Sequence, residues 1–366
     1  MLAVVLGLHG PLTNWCCDAL AWLLRSRGET PVVARLNALE DFTVELLTGR
    51  SSLVVVSTRP APKLISALRR ADIPYVVVDE EPTRSALFRM QQLKESHVNA
   101  VRGVLAETVA LHGAVASPLA FRVDRGRAAA DTTAELRRIG RHLRILPDAS
   151  SSPVADTVAA LPVELASLFA GTRSSEPETV LDETEIPVEE RLVIKAALQE
   201  LGTFEGDDKS RVLLMRDFFH SSDTGAPAVS GQIDVTGRAR LLAQGPHVFL
   251  AAGAWRARSV HRFSADLAGT PFTIDAVAWV NGIAHGLART TFTVPTSGGV
   301  VEAVLNFTVM DPWSIIEMRL FAEKAIFAGS LGLGYVDVVR SRPQDDVLAA
   351  IDTDERSRGR APVPAV

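Results

Sequence analysis

Cysteine is nearly absent from this sequence of 366 residues, which has two cysteines, Cys16 and Cys17, side by side. Adjacent cysteines do not form a useful structural disulfide, and two are too few for a zinc ribbon. A chain that relies on no disulfides is typical of a reducing compartment. We therefore expect a cytoplasmic protein without a structural metal.

Long hydrophobic runs are also missing. No segment reaches the roughly 18 uninterrupted apolar residues that a membrane-spanning helix needs. The apolar start, residues 1–7, is much shorter, and it lacks the basic residues that open a secretory signal peptide. This start indicates a first buried strand, and the sequence predicts no transmembrane segment.

Positive charge is in the minority, because 38 lysines and arginines face 43 aspartates and glutamates, for a net charge of −5. The sequence has no basic stripe, no zinc-finger spacing and no repeat of aromatic residues with arginines. These absences exclude nucleic acid as the expected partner. Hydrophobic residues make up 47% and charged residues 22%, which is typical of a globular protein, and the length predicts two domains.

Strand-like and helix-like patterns alternate over residues 1–150. Short apolar runs rich in β-branched residues predict strands, and apolar residues at helical spacing predict the helices between them. Alternation of this kind indicates an α/β domain with a parallel sheet. The clearest strands are Leu2–Leu6, Leu53–Ser57 and Tyr75–Asp79, and one long, mostly helical segment is expected over 81–116.

The middle of the chain, residues 151–210, is predicted to be a helical linker region. It contains an acidic, helix-poor segment over 174–187 and an amphipathic helical pattern over 188–201. The C-terminal residues 343–366 are charged and then rich in proline and alanine. That composition predicts a disordered tail.

Short strands separated by Gly, Pro and Asn turns fill residues 211–342. Within 254–264 the pattern alternates, so that Trp255, Ala257, Ser259 and His261 share one face. Regularly spaced short strands predict an antiparallel β-sandwich. The expected fold class is therefore an α/β parallel-sheet N-terminal domain followed by a C-terminal antiparallel β-sandwich.

The loop after the first strand, Gly7–Asn14, has the position of a phosphate-binding loop between a strand and a helix. Backbone N–H groups and the positive end of the helix dipole can hold an anion there. The segment does not satisfy GxxxxGK[ST], and Pro11 removes one N–H that a phosphate would use. The hydroxyl of Thr13 also suits a purely structural role at the start of the helix.

This loop and a later strand end resemble the sulfotransferase family. Thr13 and Trp15 match the family's first loop, whereas the basic residue of that loop is missing. Arg59, followed by Ser66, resembles the segment that holds the 3′-phosphate of the sulfonate donor. The resemblance implies a site for 3′-phosphoadenylyl sulfate at Thr13, Arg59 and Ser66. It also implies that His9 is the catalytic base.

The missing basic residue decides between two interpretations of this domain. Sulfonate transfer needs cationic side chains against the phosphosulfate and a base on the acceptor hydroxyl. A degenerate, P-loop-like domain that needs no cofactor is therefore the leading interpretation. A working donor site with bound 3′-phosphoadenylyl sulfate is the alternative.

A second resemblance is carried by Gly245–Arg258, which is similar to a strand pair of jelly-roll modules that accompany bacterial glycosyltransferases. It implies a jelly-roll sandwich that binds a glycan with an exposed aromatic face and nearby polar groups. Trp255, in an alternating strand, is expected in the core. The implied glycan-binding residues are Trp313, Trp279, Asn281 and His285, with Arg256, Arg258 and Glu317 as further hydrogen-bonding candidates.

The acidic triplet Asp79-Glu80-Glu81 ends a predicted strand, where ligands of open α/β sheets gather. These residues suit a cation site or a base, but a solvated loop is the simpler interpretation. The eight histidines are scattered without HxxH or HExxH spacing, so no metal site is predicted.

Three functions remain open from the sequence. The leading hypothesis is a non-enzymatic or weakly enzymatic protein of bacterial cell-surface polysaccharide work, which binds a glycan or a partner protein through its β-sandwich. The second is a sulfotransferase-like enzyme acting on a saccharide acceptor. The third is a structural subunit of an oligomeric assembly, because a slightly apolar composition favours association into a homo-oligomer.

Overall fold

The computed structural model describes residues 1–42, 52–146, 181–201, 210–222 and 232–341. The chain divides into two compact units, Met1–Gln199 with Thr203–Glu205 and Glu200–Gly202 with Gly206–Val366. The predicted linker region 151–210 lies in part outside the described residues, and the predicted tail 343–366 lies wholly outside them.

Five parallel strands form the sheet of the first unit, which confirms the predicted parallel sheet. They are β1 (Leu2–Gly7), β2 (Pro31–Arg35), β3 (Ser52–Ser57), β4 (Tyr75–Asp79) and β5 (Ala120–Asp124). The strands lie in the order β2-β3-β1-β4-β5. Nearly every residue of the three central strands is buried, as expected for a parallel sheet covered on both faces.

Seven helices are described in the first unit. Prolines occupy the first turn of three of them, where their missing N–H has no partner to lose. Among the residues that the structure describes, no helix combines the length and the apolar character needed to cross a bilayer. The helices are α1 (Pro11–Arg25), α2 (Pro62–Arg70), α3 (Pro82–Leu93), α4 (His97–Val115), α5 (Arg125–Ala130), α6 (Thr132–His142) and α7 (Val188–Leu198).

The single helical segment expected over 81–116 is two helices, α3 and α4. Lys94 ends α3 in the left-handed conformation, with a φ of 55°. The hydroxyl of Ser96 then caps α4 by accepting a hydrogen bond from the N–H of Asn99. The caps at Lys94 and Ser96 therefore interrupt the helix, although the apolar periodicity of the sequence continues through this segment.

The core of the first unit joins α1 to the sheet. Trp15, Leu20 and Leu23 of α1 belong to one buried cluster with Val54 and Val78 of the strands. Gly7 lies close to this helix, because a Cβ there would meet Oγ1 of Thr13 at 2.6 Å. The end of β1 and the start of α1 are thus packed tightly together.

Two antiparallel sheets make up the described part of the second unit, which confirms the predicted fold class. One, the β10 sheet, has the order β13-β10-β15-β6 with β8 paired to β15, and the other, the β11 sheet, has the order β12-β11-β14-β9-β7. The strands are β6 (Arg211–Met215), β7 (His220–Ser221), β8 (Gln232–Asp234), β9 (Arg240–Val248), β10 (Gly253–Phe263), β11 (Pro271–Val280), β12 (Ile283–Thr293), β13 (Gly299–Val309), β14 (Ile315–Ala322) and β15 (Ser330–Arg340).

The inner faces of the two sheets meet through aromatic rings. The ring of Phe263 in β10 lies 4.8 Å from that of Phe272 in β11 and 5.7 Å from that of Phe292 in β12. The predicted alternation in β10 is confirmed, since Trp255, Ala257, Ser259 and His261 are buried. Sequence patterning therefore identifies the core face of the sandwich correctly.

Candidate functional site

The carboxyl ends of β1, β3 and β4 meet at one edge of the parallel sheet, where ligands of open α/β sheets bind. His9 lies just after β1, Arg59 lies just after β3, and Glu80 directly follows β4. The structure thus brings the predicted catalytic base His9 and the predicted donor-site residue Arg59 to the same edge, together with a glutamate.

Glu80 lies at the N-terminus of α1, where a phosphate-binding loop would hold its anion. The N–H of Leu12 donates to Oε2 of Glu80 at 2.7 Å, and Pro11 before it has no N–H to offer. Gly10 is equally close, because a Cβ there would lie 2.7 Å from the same oxygen. Only 1% of Glu80 is exposed. A carboxylate of the chain itself thus takes the place of an anion at this helix end.

The solvated-loop interpretation of the acidic triplet is therefore wrong for two of its residues. Glu80 is buried against α1, and Asp79 pairs with Arg122 at 2.5 Å. Glu81 alone of the three is exposed. Sequence patterning could place the triplet at a strand end, but it could not show that the helix start lies opposite.

The backbone N–H and the backbone carbonyl of His9 are both hydrogen-bonded. Its N–H donates to Oε2 of Glu107 at 2.9 Å, and its carbonyl accepts a hydrogen bond from the hydroxyl of Ser85 at 2.7 Å. The other oxygen of Glu107 pairs with Arg89 at 2.5 Å, and Arg89 also pairs with Glu95 at 2.7 Å. Arg89, a cation near the loop, is thus already bound to two carboxylates.

Burial dominates the proton affinities in this region. Burial raises the pKa of Glu80 and raises the pKa of Glu107 to about 7, although hydrogen bonds and nearby arginines act in the opposite direction. Burial also lowers the pKa of His9 to about 4, and the charges of Arg35 and Arg89 lower it further. An imidazole with this pKa is a weak base for an acceptor hydroxyl.

The three predicted donor-site residues lie in different surroundings. Oγ1 of Thr13 is buried and donates to the carbonyl of Leu8 at 2.7 Å, so it satisfies the loop backbone itself. Arg59 is exposed, and its N–H donates to Oδ1 of Asn37. Ser66 is exposed on α2. In this arrangement the hydroxyl of Thr13 is engaged within the chain.

A second polar cluster lies on the outer face of the β11 sheet, the face opposite to Phe272. Nε1 of Trp279 donates to Oε2 of Glu317 in the neighbouring strand β14. Nε2 of His247 lies 3.3 Å from the other oxygen, Oε1. Glu317 is only 2% exposed, whereas Trp279 and His247 are half-buried. One buried carboxylate therefore holds two side chains that reach the surface.

His247 reaches Glu317 through an irregularity in β9. The register between β9 and β14 shifts there, because Ile316 pairs with Val248 and Glu317 pairs with Pro246. His247 is left over as the extra residue, with a φ of 57° that is unusual for a residue other than glycine. Such bulges redirect side chains, often beside binding sites. Sequence periodicity did not identify His247, because a bulge breaks the alternation on which it relies.

A row of charged side chains continues along the same face. Asp275 accepts two hydrogen bonds from Arg319, at 2.9 and 2.8 Å, and Arg319 lies over the ring of Phe321. Arg289 pairs with Glu323 at 2.8 Å. Each charge in this row thus has a partner of opposite sign.

Donors surround Glu317, and they reverse the effect of burial on its pKa. Burial by itself raises the pKa of this carboxyl, but hydrogen bonds from His247 and Trp279 and the charge of Arg319 outweigh it. The net result is a pKa below the ordinary value. Glu317 is therefore a carboxylate at neutral pH and holds Trp279 and His247 as an acceptor.

The structure gathers the predicted glycan-binding residues at one end of the β11 sheet but not on one face. Trp279 pairs with Ala284 and Ile315, and the turn containing Trp313 lies just before β14. His285 pairs with Ala278, one position away, so it projects from the face opposite to Trp279.

The remaining predicted residues have clear structural roles. Asn281 is exposed at a φ of 51°, followed by Gly282 at 79°, and two positive φ values are typical of a two-residue hairpin turn. Trp313 is half-buried, and Trp255 is buried as expected. Among the described residues, no group of three His, Cys, Asp or Glu side chains could hold a metal ion.

No protein-family model matches the chain, and no curated protein matches it. Among solved structures, mouse sulfotransferase SULT7A1 complexed with PAP covers 52% of this chain and 79% of its own, at 7% identity and a TM-score of 0.35. A carbohydrate-binding module, TmCBM61 in complex with β-1,4-galactotriose, covers 36% of this chain and 88% of its own, at 9% identity and a TM-score of 0.23.

The C-terminal CBM6 of LamC from Zobellia galactanivorans likewise covers 36% of this chain and 99% of its own, at 9% identity and a TM-score of 0.22. These proteins are of the two kinds that the sequence resembles. At such scores the likeness carries no argument about function. The fold class rests on the strand order of this chain itself.

Proposed function

We propose that this protein binds a glycan through the outer face of its β11 sheet, as a non-catalytic component of bacterial cell-surface polysaccharide work. The observation that carries the proposal is the buried Glu317, which fixes Trp279 and His247 at the surface. An indole face stacks on sugar C–H groups, and fixed polar side chains beside it bond to hydroxyls. Fixing them in advance reduces the entropy lost on binding.

We also propose that the first unit does not transfer sulfonate. The amide of Leu12 at the start of α1 is bound to Glu80, and the cation Arg89 is bound to Glu95 and Glu107. A phosphosulfate brought to this helix end would meet the Glu80 carboxylate instead of free N–H groups and a lysine. Two buried free thiols, Cys16 and Cys17, support the proposed cytoplasmic location.

A glycan array tests the binding face. The wild type, Trp279→Ala, Trp313→Ala and Trp15→Phe are applied at equal concentration. Trp279→Ala should lower the affinity at least about tenfold, which corresponds to about 1.4 kcal/mol. Trp15→Phe, in the core of the first unit, is the matched control and should bind as the wild type does. Equal binding by Trp279→Ala and the wild type would show that the site does not include Trp279. Weaker binding by Trp313→Ala would then place the site at the adjacent turn.

A thermal shift with adenosine 3′,5′-bisphosphate tests the first unit. A ligand at 100 times its Kd stabilises a protein by about 2.7 kcal/mol. The proposal predicts no shift in Tm at millimolar nucleotide. A clear shift that disappears in Arg59→Ala would return the sulfotransferase-like enzyme to first place.

A further inference from the structure

The charged side chains named above on the outer face all have partners within the chain. Asp275 is bound by Arg319, Arg289 by Glu323, and Glu317 by His247 and Trp279. Asp275 and Glu317 are both nearly buried. An ionic ligand would compete with the partners that these side chains already have.

We propose that the outer face selects uncharged sugars, and that Glu317 is the positioning residue that makes this selection. The inference rests on the proposed function and adds the ligand class to it. Glu317 does not touch the ligand in this arrangement, because its two oxygens face Trp279 and His247. Its role is to fix the indole plane and the imidazole edge, which then meet a sugar ring and its hydroxyls.

The geometry beside Trp279 leaves room for such a ring. Gly286 on β12 pairs with Val277 of β11, two residues from Trp279, and a Cβ at Gly286 would meet no atom within 4 Å. Its backbone has no positive φ, so larger residues fit there without backbone strain. A bulky side chain at Gly286 therefore blocks the face without disturbing the fold.

The experiment compares four proteins on arrayed neutral, sulfated and uronic-acid oligosaccharides. These are the wild type, Glu317→Gln, Gly286→Trp and, as a control, Glu302→Gln on the other sheet, where Glu302 is exposed beside Arg258. Neutral sugars should bind the wild type and Glu302→Gln equally, and about tenfold more weakly to Glu317→Gln and Gly286→Trp. The affinity should be insensitive to salt, since no ion pair forms with the ligand.

A second readout follows the indole N–H of Trp279 directly by NMR. The protein has five tryptophans, so labelled indoles give five signals, and Trp279→Phe assigns the one of interest. In Glu317→Gln this signal should move, whereas in Glu302→Gln it should stay. An unmoved signal would show that Glu317 does not position Trp279, whatever the array reports.

The outcomes separate the two proposals. Strong binding to sulfated or uronic sugars that weakens with salt would overturn the ligand class and leave glycan binding intact. Binding to no sugar, with the indole signal displaced as expected, would overturn the proposed function and the ligand class but not the positioning by Glu317.

Discussion

The pKa values of the buried glutamates shift in opposite directions in the two units. In the first unit, burial raises the pKa of Glu80 and of Glu107, although each accepts hydrogen bonds and lies near arginines. In the second, Glu317 is less deeply enclosed, and the hydrogen bonds from His247 and Trp279 outweigh burial and lower its pKa. The direction of each shift therefore follows from the balance between the depth of burial and the donors and charges around the carboxyl.

Glu80 and Glu317 also differ in the groups that they hold. Glu80 points inward onto the amide of Leu12. Glu317 points between two half-buried side chains and fixes both. The free energy of unfolding, measured in urea, should reveal these differences at four side chains: His261, Glu107, Glu80 and Glu317.

The largest expected effect concerns a buried histidine in the sandwich. Burial lowers the pKa of His261 from 6.5 to about 4, so the folded unit holds it neutral. The unfolded chain takes up its proton first, and stability falls as the pH drops from 6.5 toward 4, by up to about 3 kcal/mol. Urea unfolding should show a smaller loss in His261→Gln than in the wild type, because only the part due to His9 remains.

The exposed His285 supplies the control for that measurement. His285→Gln should follow the wild-type curve at every pH, because this side chain lies in solvent. If His261→Gln also followed the wild type, the imidazole of His261 would not be held neutral by burial.

Ionisation of Glu107 should produce a loss of stability of similar or slightly smaller size, but as the pH rises rather than falls. Its folded pKa of about 7 lies above the ordinary value of 4.5, so its favourable contribution is complete below pH 4.5 and disappears as the pH rises through 7. The loss approaches about 3 kcal/mol. Glu107→Gln should therefore gain stability relative to the wild type between pH 4.5 and 8. A constant difference over that range would contradict the raised pKa.

Removing Glu80 should cost less, about 1–3 kcal/mol, because the buried N–H of Leu12 loses its acceptor. Glu80→Ala should show this loss in urea unfolding at pH 7. Glu80→Gln keeps an acceptor oxygen and should lose less. Sulfate should restore part of the stability of Glu80→Ala only, since an anion can then occupy the helix end. Equal effects of sulfate on all three proteins would show that Glu80 does not close this site.

The fold could be predicted from the sequence much further than the sites could. Hydrophobic periodicity is local, so the alternation of strands and helices in the first unit and the inner face of β10 were both predicted correctly. The break at Lys94 was missed, because a left-handed cap leaves the apolar spacing intact.

The sites depend on partners far apart in the chain. Glu80 meets Leu12 across 68 positions, and Trp279 meets Glu317 across 38. No periodic signal connects such pairs. His247 was missed for a further reason, since it is the extra residue of a bulge and falls outside the alternation of its strand.

The smallest expected effect sharpens the contrast between Glu80 and Glu317. Glu317→Gln should cost about 1 kcal/mol at pH 7, because the amide keeps an acceptor but loses the charge that strengthens the hydrogen bonds. The lowered pKa means that the carboxylate's contribution is present above 4.5 and is lost as the pH falls below it. The difference in unfolding free energy between the wild type and Glu317→Gln should therefore shrink in acid. For Glu107→Gln, by contrast, the advantage of the variant over the wild type should grow as the pH rises. A Glu317 difference that instead grew in acid would show that burial outweighs the donors at Glu317, as it does at Glu80.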